Sequence, residues 1–481
     1  MNKLILKVCE PREYCGREAH QKLNQLAGEI HKSIINACRS VSKVDLLKEL
    51  YVNFEQACYA VLSLEHWFSP SKDSIFAIQR GPSVFRYLVE TALYANSRSD
   101  GKVTKDLVVS LVEAASLFLE VCTFSDYLYY GGFSDGFRVT ENGEIEFIKN
   151  EATKRAENKY LDMMTDRMRS ITAKVLEERA NVNRPRKSSY FGNLVKPYEK
   201  AFNERYGVSL FTITRIIEHL FFNTLEADWV PYSRLITKLE KDIAVHKRAI
   251  KGALSLFELS REMLLGEWKY YKFHDAQLSL SRRPIVRLFG KVGKNGLILF
   301  GPNALLRALV LLINDLDRGL IDLGSLTDEM REKRGREFEK RIREEILPAY
   351  GFRALRLTDT PSGEIDAVAF NEFTGTVLVV EAKSPKADVS ARSIARQLER
   401  TERWCEKHQK KVSWVKRNLK QVLNWLGFNE VRANRVVGVI VLESPVYTDP
   451  EVEEKTSVRV MTTEQFELFL RSLQQSSCSY E

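Results

Sequence analysis

Two short apolar runs near the end of the chain constrain the fold more than any other stretch. Gly363-Glu-Ile-Asp366-Ala-Val-Ala-Phe370 carries an acidic residue at one end, and Val377-Leu-Val-Val-Glu381-Ala-Lys383 ends in an acid and a base. Runs this short, bounded by Pro361-Ser-Gly363 and by residues 371–375, read as β-strands between turns. Side chains alternate along a strand, so Glu381 and Lys383 share one face. If the strand with Asp366 pairs beside them, two carboxylates and one ammonium meet at one end of a sheet. Burying such charges is costly unless they pair or hold a metal. A core does not need them there.

The surrounding sequence supplies the rest of an α/β unit. Thr327-Asp328 can cap a helix running to about Leu347, with Phe338, Ile342, Ile346 and Leu347 as its buried stripe and Glu339 at the stripe's edge. Strands are expected over residues 352–358, 364–370 and 376–383, a long helix over 389–426, and closing strands over 435–442 and 457–462.

Phosphodiester hydrolysis requires an activated water and relief of the charge that develops on phosphorus. A hard divalent ion such as Mg²⁺, held by one or two carboxylates and open to water and phosphate, meets both needs, and Mn²⁺ can substitute. Asp366 and Glu381 suit the ligand role, and Lys383 suits orientation of the water or stabilisation of the pentavalent phosphorus. The arrangement resembles the PD-(D/E)XK nuclease superfamily, over residues 327–475 only. The resemblance implies a restriction-endonuclease-like α/β/α domain with a central mixed sheet. It maps the metal-binding Asp onto Asp366 and the (D/E)xK motif onto Glu381 and Lys383. The helix Glu falls on Glu339, with Glu337 as the fallback, and a helix Gln on Gln397. The residue before the Asp is Ile365, where Pro is the motif's letter.

The expected long helix is strongly basic. Arg392, Arg396, Arg400, Arg403 and Lys407 repeat every three or four residues and form one stripe suited to phosphates. Trp404, Trp414 and Trp425 interleave with the basic segment and read as core anchors in preference to base stackers.

The first two-thirds of the chain read differently. Helical spacing dominates residues 15–123, 150–179 and 194–271, with an Asn142-Gly143 hairpin over 137–147 and a second hairpin over 284–300. A basic connector with Pro185 covers 181–189. The expected division is therefore 1–180, 181–326 and 327–481, in an α+β multidomain protein whose helix-rich part recognises DNA, holds a protein partner or forms homo-oligomers. The Gly290–Gly296 region lacks the spacing of a phosphate-binding P-loop. Seven scattered cysteines without CxxC pairs imply reduced thiols, and no apolar run suggests a membrane span, so a cytoplasmic protein is expected. The net charge of +9 favours a polyanionic partner, though only mildly at this length. Together these features suggest a Mg²⁺-dependent nuclease, by choice a DNA endonuclease of the restriction or anti-phage kind. A non-catalytic nucleic-acid-binding protein with the same fold is the competing class. RNA and branched DNA remain open as substrates.

Overall fold

The computed structural model describes residues 1–67, 72–95, 99–129, 134–180, 195–224, 226–267, 282–288, 296–317, 321, 323–385, 391–429 and 431–478. The chain is mixed α and β, and it divides into two compact units. One comprises Met1–Ser125, Phe137–Glu146 and Val175–Asp328; the other comprises Asp126–Gly136, Phe147–Lys174 and Glu329–Glu481. The basic connector and the Gly290–Asn295 turn lie outside the described residues.

The first unit is built on long helices, Gly16–Arg39, Lys43–Trp67, Lys72–Ala95 and Lys105–Tyr129, at the expected places. Lys105–Tyr129 departs from one expectation: by length and composition it is apolar enough to cross a membrane. A buried core helix passes the same test, and Leu111, Ala115 and Phe118 are buried here, with Phe118 stacked on Tyr87. The Asn142-Gly143 turn joins two strands as expected. Only Gly143 has positive φ (76°), so the turn is not the type I′ that Asn-Gly most often adopts. A four-stranded sheet includes two short strands, Asp228–Pro231 and Glu258–Ser260, inside the region read as wholly helical. Three or four residues are too few for a period to register.

The elements of the second unit are numbered in chain order. They are α1 (Glu151–Ala180), α2 (Ser325–Arg341), β1 (Arg353–Leu357), β2 (Ile365–Asn371), β3 (Thr376–Lys383), α3 (Ala391–Arg417), α4 (Leu419–Trp425), β4 (Arg435–Leu442), α5 (Pro450–Thr456), β5 (Val458–Thr462) and α6 (Thr463–Cys478). The five strands form one sheet in the order β5-β4-β3-β2-β1. β3 runs parallel to β4 and antiparallel to β2, so the sheet is mixed. Val377 pairs with Phe370 and Val380 with Ala367. Continued by one step, that register sets Glu381 opposite Asp366.

Period-two alternation sorts the sheet's side chains onto two buried faces. Ala367, Ala369, Leu378, Val380, Val439 and Val441 pack under Phe338 and Ile342 of the α2 region and Phe466 and Leu470 of α6. Val368, Phe370, Val377 and Val379 pack under Val412 and Val415 of α3 and Val422 of α4. Covered on both faces, β2 and β3 read as nearly continuous apolar runs. After Arg341 the helix loosens into a π turn, Ile342–Ile346, which keeps Ile342 and Ile346 buried.

Helix α1 belongs to this second unit as far as Lys174, whereas its place in the sequence assigns it to the first domain. Arg155 pairs with Asp449 (3.2 Å) and Glu451 (2.8 Å), Lys159 pairs with Glu453, and Gln465 donates to Asp166 (2.9 Å). The Tyr160 ring stacks on Tyr447 at 4.3 Å between centroids.

Candidate active site

Asp366, Glu381 and Lys383 share the sheet face that α3 covers, at the end where β2 begins and β3 finishes. Parity alone requires this: they alternate in step with Val368, Val377 and Val379 on the same face. Beside them the pairing of β1 with β2 shifts register between Leu355 and Leu357. Irregularities of this kind often re-aim side chains beside a site.

Asp366 is 7% exposed, and one of its carboxylate oxygens accepts a hydrogen bond from the Ala382 amide (2.8 Å). Burial, together with the nearby Glu381 carboxylate, pushes its pKa up to about 7, against the pull of the Ala382 amide and Lys383. Glu381 behaves oppositely. Burial works to raise its pKa, but Lys383 and Lys411 overcome that and hold the carboxyl below its ordinary range. Lys383 Nζ lies 2.6 Å from Glu381 Oε1, and Lys411 Nζ lies 2.5 Å from Oε2. Burial works against the charge on Lys383, yet Glu381 raises its pKa on balance. Two carboxylates on neighbouring strands therefore titrate far apart, a pattern typical of sites that do chemistry.

Helix α3 closes this corner. Its approach to the sheet is set by Gly438 of β4, where an added Cβ would stand 2.5 Å from a Val412 methyl. That close packing buries His408, whose Nε2–H donates to the Val379 carbonyl (2.9 Å). Its Nδ1 lies 3.8 Å from Glu381 Oε2, and burial lowers the imidazole pKa to about 4. The ring is neutral at physiological pH and acts as a wall and a peg under Glu381.

Compared with protein families, curated proteins and solved structures, the chain matches none. Its chemistry is therefore read from its own geometry. Among the described residues no three His, Cys, Asp or Glu side chains gather as a ready metal cage. Mg²⁺ does not require one, because it keeps several waters and takes one or two carboxylates. The donor set fits such an ion: besides the burial that raises the Asp366 pKa, the buried Asp366 and the partly buried Glu381 repel each other across adjacent strands, and a divalent cation between them would relieve that repulsion.

The other expected residues divide. Glu339 is half-buried, and burial raises its pKa while Arg356 opposes the rise. Glu364, Lys383 and Glu381 also act on it, so it sits at the margin of the cluster. Glu337 is exposed and lies 3.8 Å from Lys333 on the solvent side of α2. Gln397 is buried, but its side-chain oxygen accepts from the Tyr447 amide (3.0 Å), which ties α3 to the loop after β4. Arg396, Arg400, Arg403 and Lys407 are exposed along α3 as the stripe requires, with Arg403 also paired to Glu399 (3.1 Å). The Arg392 side chain lies outside the described residues. Trp404 and Trp414 pack on the core, whereas Trp425 is exposed and stacks on Trp414.

Sequence reading missed Lys411 and His408. The signal for Lys411 was present: it follows Lys407 by four residues and so continues the basic stripe into the carboxylates. His408 carried no signal beyond its place in the buried stripe of α3.

Proposed function

We propose that the chain is a Mg²⁺-dependent nuclease of the PD-(D/E)XK kind, cutting DNA through the second unit. One observation carries the reading: Asp366, Glu381 and Lys383 stand on one sheet face, at the edge where a basic helical stripe ends on the same carboxylate. The order α2-β1-β2-β3-α3-β4-β5 around a mixed sheet is consistent with it. Asp366 and Glu381 would hold the ion, which when bound supplies an activated water and neutralises charge on phosphorus.

The chain's own groups do the rest. Arg396, Arg400, Arg403 and Lys407 hold the phosphate backbone along α3 and leave base sequence unread. Lys383, freed in part from Glu381, places its ammonium against the phosphoryl oxygens as they gain charge. The wall of His408, Val379 and Val412 keeps bulk water from the inner side of Glu381. The helix-rich unit is assigned to recognition or assembly by analogy with multidomain nucleases.

The test is cleavage of plasmid, linear and single-stranded DNA and of RNA, with Mg²⁺ or Mn²⁺ and with chelator. Metal-dependent cutting that disappears in Asp366→Ala and Glu381→Ala supports the proposal. Binding without cutting in any metal, at equal strength in both variants, would assign the domain to the non-catalytic class.

A further inference from the structure

Glu381 is held by two ammonium groups, and only one of them belongs to the strand motif. Lys411 comes from α3, thirty positions along the chain, and its side chain is 13% exposed. Its placement is firm: Val412 packs against Gly438, His408 is pegged to Val379, and the Lys410 carbonyl accepts from the Ser362 hydroxyl (3.5 Å). Burying a lysine this far costs free energy unless a partner compensates, and here the compensation comes from a proposed metal ligand.

The charges around the corner decide what this means. Among the described residues four carboxylates act on one another there: Glu339, Glu364, Asp366 and Glu381. Three cations face them: Arg356, paired with Glu364, and Lys383 and Lys411, both on Glu381. With all four carboxyls ionised, as they are when Asp366 gives up its proton to a metal, the cluster is one negative charge in excess. A single divalent ion turns that into one positive charge, whereas a second ion would leave three positive charges in a largely buried corner.

Resting on the nuclease reading above, we infer that Lys411 is a built-in second cation: the site takes one divalent ion, and the Lys411 ammonium occupies the side of Glu381 that a second ion would need. Lys411 is then a positioning residue. It fixes Glu381 through Oε2 and opposes the incoming metal at the same time. Removing its charge strengthens metal binding while weakening catalysis, because Glu381 loses its orientation. A purely structural lysine would impair both together.

Calorimetric titration of Mn²⁺ into the full chain, without nucleic acid, tests this. Wild type binds one ion per chain. Lys411→Met binds it about tenfold more tightly, as expected for loss of one like charge near a divalent ion, and turns DNA over more slowly at saturating metal. Lys411→Arg keeps the wild-type affinity, and so does Lys410→Met, an exposed neighbour. Two ions per wild-type chain overturn the inference even if Lys411→Met fails to fold. Unchanged or weaker affinity in a folded Lys411→Met also overturns it. If Glu381→Ala abolishes binding while Lys411→Met leaves it unchanged, only this inference falls. If wild type binds no ion, the nuclease reading falls with it.

Discussion

Replacing Asp366 by Asn should stabilise the protein at alkaline pH while abolishing cleavage. In the folded chain the Asp366 pKa is raised from 3.8 to about 7 by burial and by Glu381. The folded state therefore holds the proton more tightly than the unfolded state, and stability falls as pH rises from about 4 to about 7. A rise from 3.8 to about 7 puts the full cost on the order of 4 kcal/mol above pH 7. Asn removes that charge and can still accept from the Ala382 amide through its side-chain oxygen. The advantage of Asp366→Asn should be on the order of 4 kcal/mol at about pH 8 and shrink to less than half of that at about pH 5. Urea unfolding of the full chain, followed by tryptophan fluorescence to which Trp404, Trp414 and Trp425 of this unit contribute, measures it. Added Mg²⁺ should stabilise wild type and leave Asp366→Asn unchanged, because the variant lacks a charged ligand. Parallel pH profiles for the two proteins would refute the reasoning, since they would mean that Asp366 is not held against Glu381 in a buried site.

Lys383→Ala should bind Mn²⁺ at least as tightly as wild type, since it too loses an ammonium beside Glu381, and lose most of its turnover; Lys383→Arg should not restore turnover, because a planar guanidinium sets its charge elsewhere. Full activity in Lys383→Ala, by single-turnover cleavage, would make Lys383 a structural partner of Glu381. Reversal of Arg396, Arg400 and Arg403 to Glu should weaken binding to every DNA sequence alike and lower the slope of log affinity against log salt by about one per lost contact. A wild-type slope in a salt titration would make the stripe a solvated face. Gln397→Ala should cost about 1–2 kcal/mol in urea unfolding, by leaving the buried Tyr447 amide without its acceptor, and slow cleavage only modestly. Complete loss of cleavage with unchanged stability would return Gln397 to the reacting centre.

How much of this was legible beforehand depends on the range over which each contact acts. The strand that ends in Glu381-Ala-Lys383 and the partner that carries Asp366 were readable because period-two alternation and two turns are local signals. The join between them is four residues long, which leaves an antiparallel pair as the economical connection. The exposed stripe from Arg396 to Lys407 was readable for the same reason, since helical spacing is fixed by the backbone. Glu339 at the margin followed from its place beside Phe338 on an amphipathic helix.

Tertiary structure decided what sequence spacing cannot encode. Lys411 reaches Glu381 only because Gly438, on another strand, lets α3 lie close to the sheet. The long α3 presented Gln397 as a reacting group, but the loop after β4 takes its carbonyl. Helix α1 reads as part of the first domain because the chain runs that way. Yet Arg155 and Lys159 find Asp449, Glu451 and Glu453 nearly three hundred residues later. Composition and periodicity fix which faces are apolar and which residues are charged. Which charge meets which is settled when burial brings distant segments together and makes an unpaired ion too costly to leave.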